Sequence, residues 1–124
     1  MENQFSQLKK SYNSLTQSNE IVFAEIASMK KIMGVYIIYS PNNEILYIGS
    51  TNNFHVRFGT DLKHETTHTL VKKFIKQGIY KDRKEIKAYL TNECRFKIHI
   101  CQNKREAEAL EHFCIWVLNP KYNK

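Results

Sequence analysis

Tyr36 and Tyr47 are the first residues whose type and spacing suggest chemistry, since they lie eleven residues apart in two short apolar segments. Both segments are rich in β-branched and aromatic residues, and the turn-forming residues 40–43 separate them, so the pattern predicts a β-hairpin. A loop at Asn42-Asn43 would set residue 36 opposite residue 49 and place both tyrosines on one face. Two phenols would then share a patch, although tyrosines in strands are more often ordinary core residues.

Glu111 is a carboxylate on an apolar helix face. A turn of about 100° per residue groups five apolar side chains on one stripe, and Glu111 falls inside it. The stripe consists of Ala107, Leu110, Cys114, Val117 and Leu118. A carboxylate in such a position costs several kcal/mol unless it is paired with a cation. The partner could be a structural Arg or Lys, or a hard divalent cation such as Mg²⁺.

Basic residues and histidines follow the hairpin. Arg57 lies ten residues after Tyr47, on a short helix predicted to pack beside the hairpin, and His64 and His68 lie in and just after the next loop. Taken singly, such residues are most often solvated surface groups. Four lysines could form a helix face that follows a phosphate backbone: Lys63, Lys72, Lys73 and Lys76.

The net charge of +7 lies entirely in residues 31–124, which hold 16 Lys and Arg against 9 Asp and Glu. Residues 1–30 hold three of each sign. Such an excess favours a polyanionic partner, because each phosphate that is neutralised releases condensed counterions. Many basic surfaces only keep a protein in solution, so charge alone does not decide for a nucleic acid.

Residues 1–30 carry apolar side chains at heptad spacing and predict a long amphipathic helix, with a break near Thr16 left open. The stripe consists of Phe5, Leu8, Tyr12, Leu15, Val22, Ile26 and Met29. It could dock on the chain's own domain or pair with a second copy in a coiled coil. Docking fits better, because aromatic residues occupy two seam positions. We therefore divide the chain into a helical extension, 1–30, and a domain, 31–124.

The domain itself predicts an α/β fold of the α+β type. Residues 95–101 alternate apolar and polar side chains, which indicates a third strand. A helix could begin at Thr67 and end at Gly78, and an insertion over 79–93 could hold a small helix capped at Asp82. Asn103 and Glu106 have capping-box spacing, which predicts a last helix ending at residue 118, before a proline. The expected architecture is a three-stranded antiparallel sheet flanked by helices.

Cysteine content and hydropathy bear on location. Cys94, Cys101 and Cys114 are odd in number and lack C-x-x-C spacing, so we expect neither a disulfide framework nor a zinc knuckle. The sequence has no apolar run long enough for a membrane span and no secretory signal at its start. We therefore expect reduced, buried thiols in a cytoplasmic protein without a membrane partner.

Five elements in order resemble the GIY-YIG nuclease superfamily. They are Gly34-Val35-Tyr36, Tyr47-Ile48-Gly49-Ser50, Arg57, Glu111 and Asn119-Pro120-Lys121-Tyr122-Asn123. Valine replaces the isoleucine of the first motif conservatively. The resemblance covers residues 32–123, implies the GIY-YIG fold there, and says nothing about residues 1–30.

The resemblance implies a role for each matching residue. Glu111 would hold Mg²⁺, with Mn²⁺ as a substitute, and Arg57 would offset the negative charge that grows on the phosphate. Tyr47 would orient or deprotonate the attacking water and Tyr36 would bind the phosphate, although these two roles could be exchanged. Asn123 would brace the site through hydrogen bonds.

Two further positions enter through the resemblance. Gly49 belongs to the second tyrosine motif and would support the site. Many phage-type members have a histidine four residues after the arginine, where this chain has Asp61. The histidine role would therefore fall to His64 or His68, and we favour His68.

The activity that the resemblance implies is that of a Mg²⁺-dependent DNA endonuclease, hydrolysing phosphodiester bonds with one metal ion. It would be a site-preferring enzyme of a phage, mobile element or restriction system, acting in the cytoplasm of a bacterium or a phage-infected host. DNA would be the partner, and a homodimer through the N-terminal helix is a second arrangement that the heptads allow. The alternative is a DNA-binding or interaction module of the same fold without catalysis.

Overall fold

The computed structural model describes residues 4–29, 32–54, 58 and 69–123. Its elements, in chain order, are α1 (Gln4–Thr16), α2 (Phe23–Ala27), β1 (Gly34–Tyr39), β2 (Ile45–Thr51), α3 (Thr69–Lys76), α4 (Arg83–Asn92), β3 (Arg95–Ile100) and α5 (Lys104–Leu118). The strands form one sheet in the order β2-β1-β3, and both pairings are antiparallel. The predicted three-stranded antiparallel sheet is confirmed. None of the helices within the described ranges is long and apolar enough to cross a membrane.

The β1–β2 hairpin has one more turn residue than its sequence predicts. Asn43 has a left-handed φ of 64° and donates its N–H to the carbonyl of Ser40 (3.0 Å). Asparagine reaches this conformation more readily than most residues. The register then shifts by one at Leu46, which forms a β-bulge. The bulge offsets the longer turn, so Tyr36 lies opposite Gly49 as predicted.

Helices cover both faces of the sheet. On one face α1 and α5 enclose Leu15, Val35, Ile37, Ile48, Cys101, Ala107, Leu110 and Cys114. On the other face α2, α3 and α4 enclose a cluster that includes Phe23, Tyr36, Ile38, Phe58, Phe74, Ile86, Leu90 and Phe96. The strands divide their side chains between these clusters because successive residues of a strand point to opposite faces.

The N-terminal segment consists of two short helices, and the break near Thr16 is present. After the break, Ile21 forms a β-bridge with Phe96 through two hydrogen bonds of 2.7 and 2.9 Å. This bridge protects the outer edge of β3, which would otherwise be open to pairing. Leu15 is fully buried against the sheet, and Lys97 Nζ donates to the Thr16 carbonyl (2.6 Å). The extension therefore docks on the chain's own domain.

The last two helices begin at the predicted capping residues. The Asp82 side chain accepts the N–H of Glu85 (3.1 Å), and the Asn103 side chain accepts the N–H of Glu106 (2.8 Å). These bonds satisfy backbone donors that the first helical turn leaves without partners. The end of α5 is also where the sequence predicts it, at Leu118, and the C-cap residue Asn119 has a left-handed φ of 48°.

Several apolar residues that the patterns place on buried faces are exposed, among them Phe5, Val22, Ile75, Ile100 and Val117. Ile75 lies on α3 beside a buried face made of Leu70, Val71 and Phe74, and Ile100 lies in the last residue pair of the sheet, opposite Gly34. The alternating pattern of β3 therefore does not predict burial for the last residue of the strand.

Candidate active site

Tyr36 and Tyr47 share one face of the sheet, as the hairpin register predicts. Tyr36 pairs with Gly49 and Tyr47 with Ile38, which places the two tyrosines diagonally. Their ring centroids are 6.3 Å apart and the ring planes are inclined by 34°. Tyr36 is 1% exposed and Tyr47 is 8% exposed, so Tyr47 is the more accessible of the two.

Gly49 provides the space in which the Tyr36 ring lies. A Cβ atom at Gly49 would lie 2.5 Å from the Tyr36 hydroxyl oxygen and 2.7 Å from Cζ. The ring is also held by edge contacts with Phe54 and Phe58, whose centroids lie 6.2 and 5.0 Å away. These aromatic contacts restrict the ring, so its hydroxyl group is fixed above the backbone of β2 at Gly49.

Glu111 approaches β2 from the opposite face of the sheet. Its Oε1 accepts a hydrogen bond from the hydroxyl group of Ser50, which pairs with Val35 and therefore faces α5. Burial, and to a smaller extent the nearby Glu111 carboxylate, raise the pKa of the Cys114 thiol to about 12. Glu111 is only partly buried, and in the part of the chain that the structure describes it forms no ion pair with a basic side chain.

The C-terminal segment pairs with the outer edge of β2. Asn123 accepts the N–H of Ile48 through Oδ1 and donates through Nδ2 to the Ile48 carbonyl, with both distances 2.7 Å. The N–H groups of Lys121 and Tyr122 donate to carbonyls near the start of β2, at 3.1 and 2.9 Å. The chain after α5 therefore fixes β2 just before Gly49.

The lysines predicted to contact DNA differ in their surroundings. Lys73 is partly buried, and its Nζ donates to the carbonyl of Tyr122 (2.6 Å), so it links α3 to the C-terminal segment. Lys72 and Lys76 are exposed on the same helix. Lys63 lies outside the described residues.

The remaining predicted site residues also lie outside the described residues. They are Arg57, His64 and His68. Their predicted roles in charge stabilisation and proton transfer stay predictions. Besides the three lysines of α3, the structure places Tyr36, Tyr47, Gly49, Glu111 and Asn123.

The tyrosines and the glutamate approach two consecutive residues of the edge strand β2, from opposite faces of the sheet. The Tyr36 hydroxyl lies above Gly49 on one face, and the Glu111 carboxylate binds Ser50 on the other. A ligand that touches both must lie at the edge of β2, beyond the part that Asn123 covers. The carboxylate and hydroxyl oxygens here are of the type that Mg²⁺ prefers, and Mg²⁺ commonly uses one or two carboxylates plus water and phosphate. The residues present therefore fit the metal.

Ser50 has a clear structural role and was missed as a site residue in the sequence, and Lys73, predicted as a DNA contact, has a structural contact that was not predicted. Ser50 follows the second tyrosine motif, and the period of two along β2 could have placed it on the Glu111 face. The bond from Lys73 to Tyr122 joins residues 49 positions apart, so no local pattern could have found it. Ser50 orients the Glu111 carboxylate, and Lys73 holds the backbone of the C-terminal motif at Tyr122.

Residues 32–123 match the GIY-YIG catalytic domain family. The match covers about three quarters of the chain and contains both tyrosine motifs, Glu111 and Asn123. The chain therefore belongs to the GIY-YIG catalytic domain family, whose domain is a metal-dependent endonuclease. The chain has no match among curated protein sequences.

Solved structures with the same fold include the GIY-YIG N-terminal endonuclease domain of UvrC from Thermotoga maritima. The structure of that domain bound to magnesium as its catalytic divalent cation is 24% identical, with a TM-score of 0.54, over 82% of this chain and 93% of that one. A tyrosine point mutant of it, bound to its catalytic divalent cation, is also 24% identical with a TM-score of 0.54, over 82% and 92% of the two chains. At this identity the likeness establishes the fold.

Proposed function

We propose that this protein is a Mg²⁺-dependent DNA endonuclease that cleaves phosphodiester bonds with a single metal ion held by Glu111. The observation that carries the proposal is the position of the partly buried Glu111 carboxylate. It accepts a hydrogen bond from Ser50, and the neighbouring residue, Gly49, is where the Tyr36 hydroxyl lies over β2. The UvrC domain of the same fold binds a catalytic divalent cation. When bound, Mg²⁺ would polarise the scissile phosphate and stabilise its leaving oxygen.

Glu111 and Ser50 form the metal-binding side of the site. Among the described residues, Glu111 belongs to no group of three closely spaced His, Cys, Asp or Glu side chains, which agrees with a single ion that keeps several waters. The Ser50 hydroxyl uses one lone pair of Oε1 and holds the carboxylate in one orientation. The remaining carboxylate lone pairs are available for the metal ion.

Tyr47 and Tyr36 serve the water and the phosphate in this proposal. A phenol is a weak base at neutral pH unless a nearby cation lowers its pKa, so the tyrosine that deprotonates water must lie close to the metal or to a guanidinium group. We assign this task to Tyr47, which is the more exposed, and assign phosphate binding to Tyr36. Arg57 would offset charge on the phosphate and His68 would carry a proton, both as the family resemblance implies.

The remaining parts of the proposal concern substrate and setting. The excess of basic residues in 31–124 supports a DNA substrate, and the exposed Lys72 and Lys76 would follow its backbone. A place in a phage, mobile element or restriction system, with preferred cleavage sites, rests on the motif resemblance. A cytoplasmic location agrees with three free, buried cysteines. A homodimer would use the exposed Phe5 end of α1, since Leu15 at its other end is buried within the chain.

The test is incubation of supercoiled plasmid and of phage genomic DNA with the purified protein in Mg²⁺, in Mn²⁺ and in EDTA. We expect cleavage with either metal, none in EDTA, and a set of preferred sites when the ends are sequenced. Binding of DNA without cleavage under every metal would support the silent DNA-binding module instead. If the protein neither binds nor cleaves DNA, the interaction module is the alternative that remains. Sedimentation velocity of the same sample measures whether the protein dimerises.

A further inference from the structure

Three side chains of metal-binding type converge at the start of α5, away from Glu111. They are His99 on β3, Cys101 just after β3, and Glu106 in the first turn of α5. One ligand atom from each lies within 4.8 Å of the other two. The GIY-YIG site described above uses none of the three.

The backbone brings these side chains together in a defined way. His99 and Cys101 are two residues apart, so they project from the same side of the β3 segment, the side on which α5 packs. The N–H of Glu106 donates to the side chain of Asn103, and this capping bond turns the chain into α5 next to them. The cluster is therefore set by the β3–α5 connection itself.

Further bonds hold the segments that carry Cys101 and Glu106. The backbone N–H of Cys101 donates to the Met33 carbonyl (2.9 Å), and the thiol is buried. The N–H of Gln102 donates to Oε2 of Glu106 (3.3 Å), which leaves Oε1 directed toward His99 Nε2 at 3.9 Å. Outer bonds of this kind fix the direction of metal ligands and contribute to metal affinity.

The cluster is separate from the Glu111 site. Ser50, Val35 and His99 form one row across the sheet, with Ser50 on one edge strand and His99 on the other. Two strand spacings separate them, which is about 10 Å. Glu106 and Glu111 lie on the same helix, five residues or about 7.5 Å apart along its axis. Each end of the row thus contacts a different carboxylate of α5.

We propose that His99, Cys101 and Glu106 bind one Zn²⁺ ion, or a divalent cation of the same borderline-soft class, with water as the fourth ligand. One imidazole, one thiolate and one carboxylate form a donor set that suits Zn²⁺ and is poorly suited to Mg²⁺. Ligand atoms around tetrahedral zinc lie about 3.4 to 3.6 Å apart. Side-chain rotations that move these ligand atoms by about 1 Å would bring them to that spacing. Cys101 binds as the thiolate, and its proton passes to the solvent.

The site would fasten the first turn of α5 to the outer strand of the sheet. An ion that binds the folded chain and not the unfolded one raises the melting temperature with its concentration. It would hold the helix that carries Glu111 without taking part in the reaction. Cleavage would therefore depend on Mg²⁺ in the same way with and without Zn²⁺.

The experiment uses the full chain, freed of metal with EDTA and titrated with Co²⁺ as a spectroscopic substitute for Zn²⁺. We expect one equivalent to produce a thiolate-to-cobalt charge-transfer band and the intense visible bands of tetrahedral Co²⁺. One equivalent of Zn²⁺ should remove both and raise the melting temperature, whereas excess Mg²⁺ should leave them unchanged. The proposal would be overturned if no charge-transfer band appears, or if the band has no one-to-one endpoint. The cluster would then be only a His99–Glu106 contact next to the capping box of α5.

Variants assign the band to the cluster. Cys101→Ala should abolish it, and the matched control Cys94→Ala, which removes another buried thiol outside the cluster, should retain it. Glu106→Gln keeps an acceptor for the Gln102 N–H, so it should fold normally. It should weaken Zn²⁺ binding by roughly 100-fold or more, because even outer partners of a ligand account for about 10- to 100-fold. Circular dichroism verifies folding, and unchanged affinity in Glu106→Gln would contradict the proposal even if Cys101→Ala fails to fold.

Discussion

Gly49 lies where the Tyr36 ring crosses β2, and a methyl group in its place has no room. Its Cβ would fall 2.5 Å from the tyrosine oxygen and 3.0 Å from Cε2 of Tyr47. The Tyr36 ring cannot move aside freely, because Phe54 and Phe58 contact it. We predict that Gly49→Ala destabilises the fold by about 1 to 3 kcal/mol, as overpacking does, and displaces both phenols.

Thermal unfolding and a cleavage time course measure the two effects of Gly49→Ala. Gly78→Ala is the control, because a Cβ at Gly78 meets nothing within 4 Å and the only cost is its φ of 71°. This variant should lose some stability and keep its activity. Full activity in Gly49→Ala would show that the position of the Tyr36 hydroxyl does not matter for cleavage.

Tyr36 and Tyr47 should differ when each loses only its hydroxyl group. Both rings are buried aromatics, so replacement by phenylalanine preserves most of the packing. We predict that Tyr47→Phe reduces kcat by about 10²- to 10⁴-fold, the usual range for a general base, and that Tyr36→Phe raises KM for DNA and has the smaller effect on kcat. Single-turnover cleavage at saturating protein separates these effects. The reverse pattern would exchange the two roles.

At the scale of single residues, the sequence identifies the reactive groups better than the residues that orient them. Glu111 can be recognised because a carboxylate on an apolar helix stripe is unfavourable unless a cation is bound to it. The tyrosines can be recognised because their motifs recur in a family. For Ser50 the signal is weaker, because its position in β2 places it on the Glu111 face without showing that the two side chains are in contact. A serine at the end of a strand is ordinary, and its value comes from a contact 61 residues away in sequence.

Among the elements, the edge strand β2 depends on the C-terminal segment. Asn123 satisfies both the N–H and the carbonyl of Ile48. Without the Asn123 amide, the N–H and the carbonyl of Ile48 lose these hydrogen bonds while they stay partly buried. We therefore predict that Asn123→Ala lowers the free energy of unfolding by about 1 kcal/mol. We also predict that it lowers cleavage, because β2 is held less firmly next to Gly49. Chemical denaturation and a cleavage assay measure these outcomes.

Lys121→Ala is the matched control in the same segment. Its ammonium group makes an exposed ion pair with Glu44 at 3.7 Å and lies 5.5 Å from the centroid of the Tyr122 ring, and exposed contacts of these two kinds contribute little to stability. If both variants behave like the parent protein, the hydrogen bonds of Asn123 do not position the strand.

Elements whose ends depend on local chemistry could be predicted, and those set by tertiary pairing could not. Asp82 and Asn103 begin their helices as predicted, because capping needs only residues three positions apart. The three-residue turn and the bulge at Leu46 were missed, because the two irregularities compensate and the apolar pattern alone does not distinguish them from a two-residue turn. The bridge from Ile21 to Phe96 also joins distant segments.

For the whole molecule, the N-terminal extension belongs to the fold of the catalytic domain. Leu15 is fully buried in the cluster that backs Glu111, whereas Phe5 on the same helix is 64% exposed. We predict that Leu15→Ala costs about 2 to 5 kcal/mol, as deletion of a buried leucine does. Phe5→Ala should change stability by no more than about 0.5 kcal/mol. Urea unfolding compares them, and equal small effects would mean that α1 is not docked in solution.

The central claim concerns the entire chain as an enzyme whose metal ion is held by Glu111. Its most direct test is plasmid cleavage in Mg²⁺ by the parent protein, by Glu111→Gln and by Glu108→Gln. Glutamine at 111 keeps an acceptor for Ser50, so the fold should persist, while Glu108 is exposed and, among the described residues, pairs with Lys104 at 3.8 Å. We predict a loss of roughly 1,000-fold for Glu111→Gln, from several kcal/mol of metal stabilisation, and parent activity for Glu108→Gln. Equal cleavage by all three proteins would contradict the assignment.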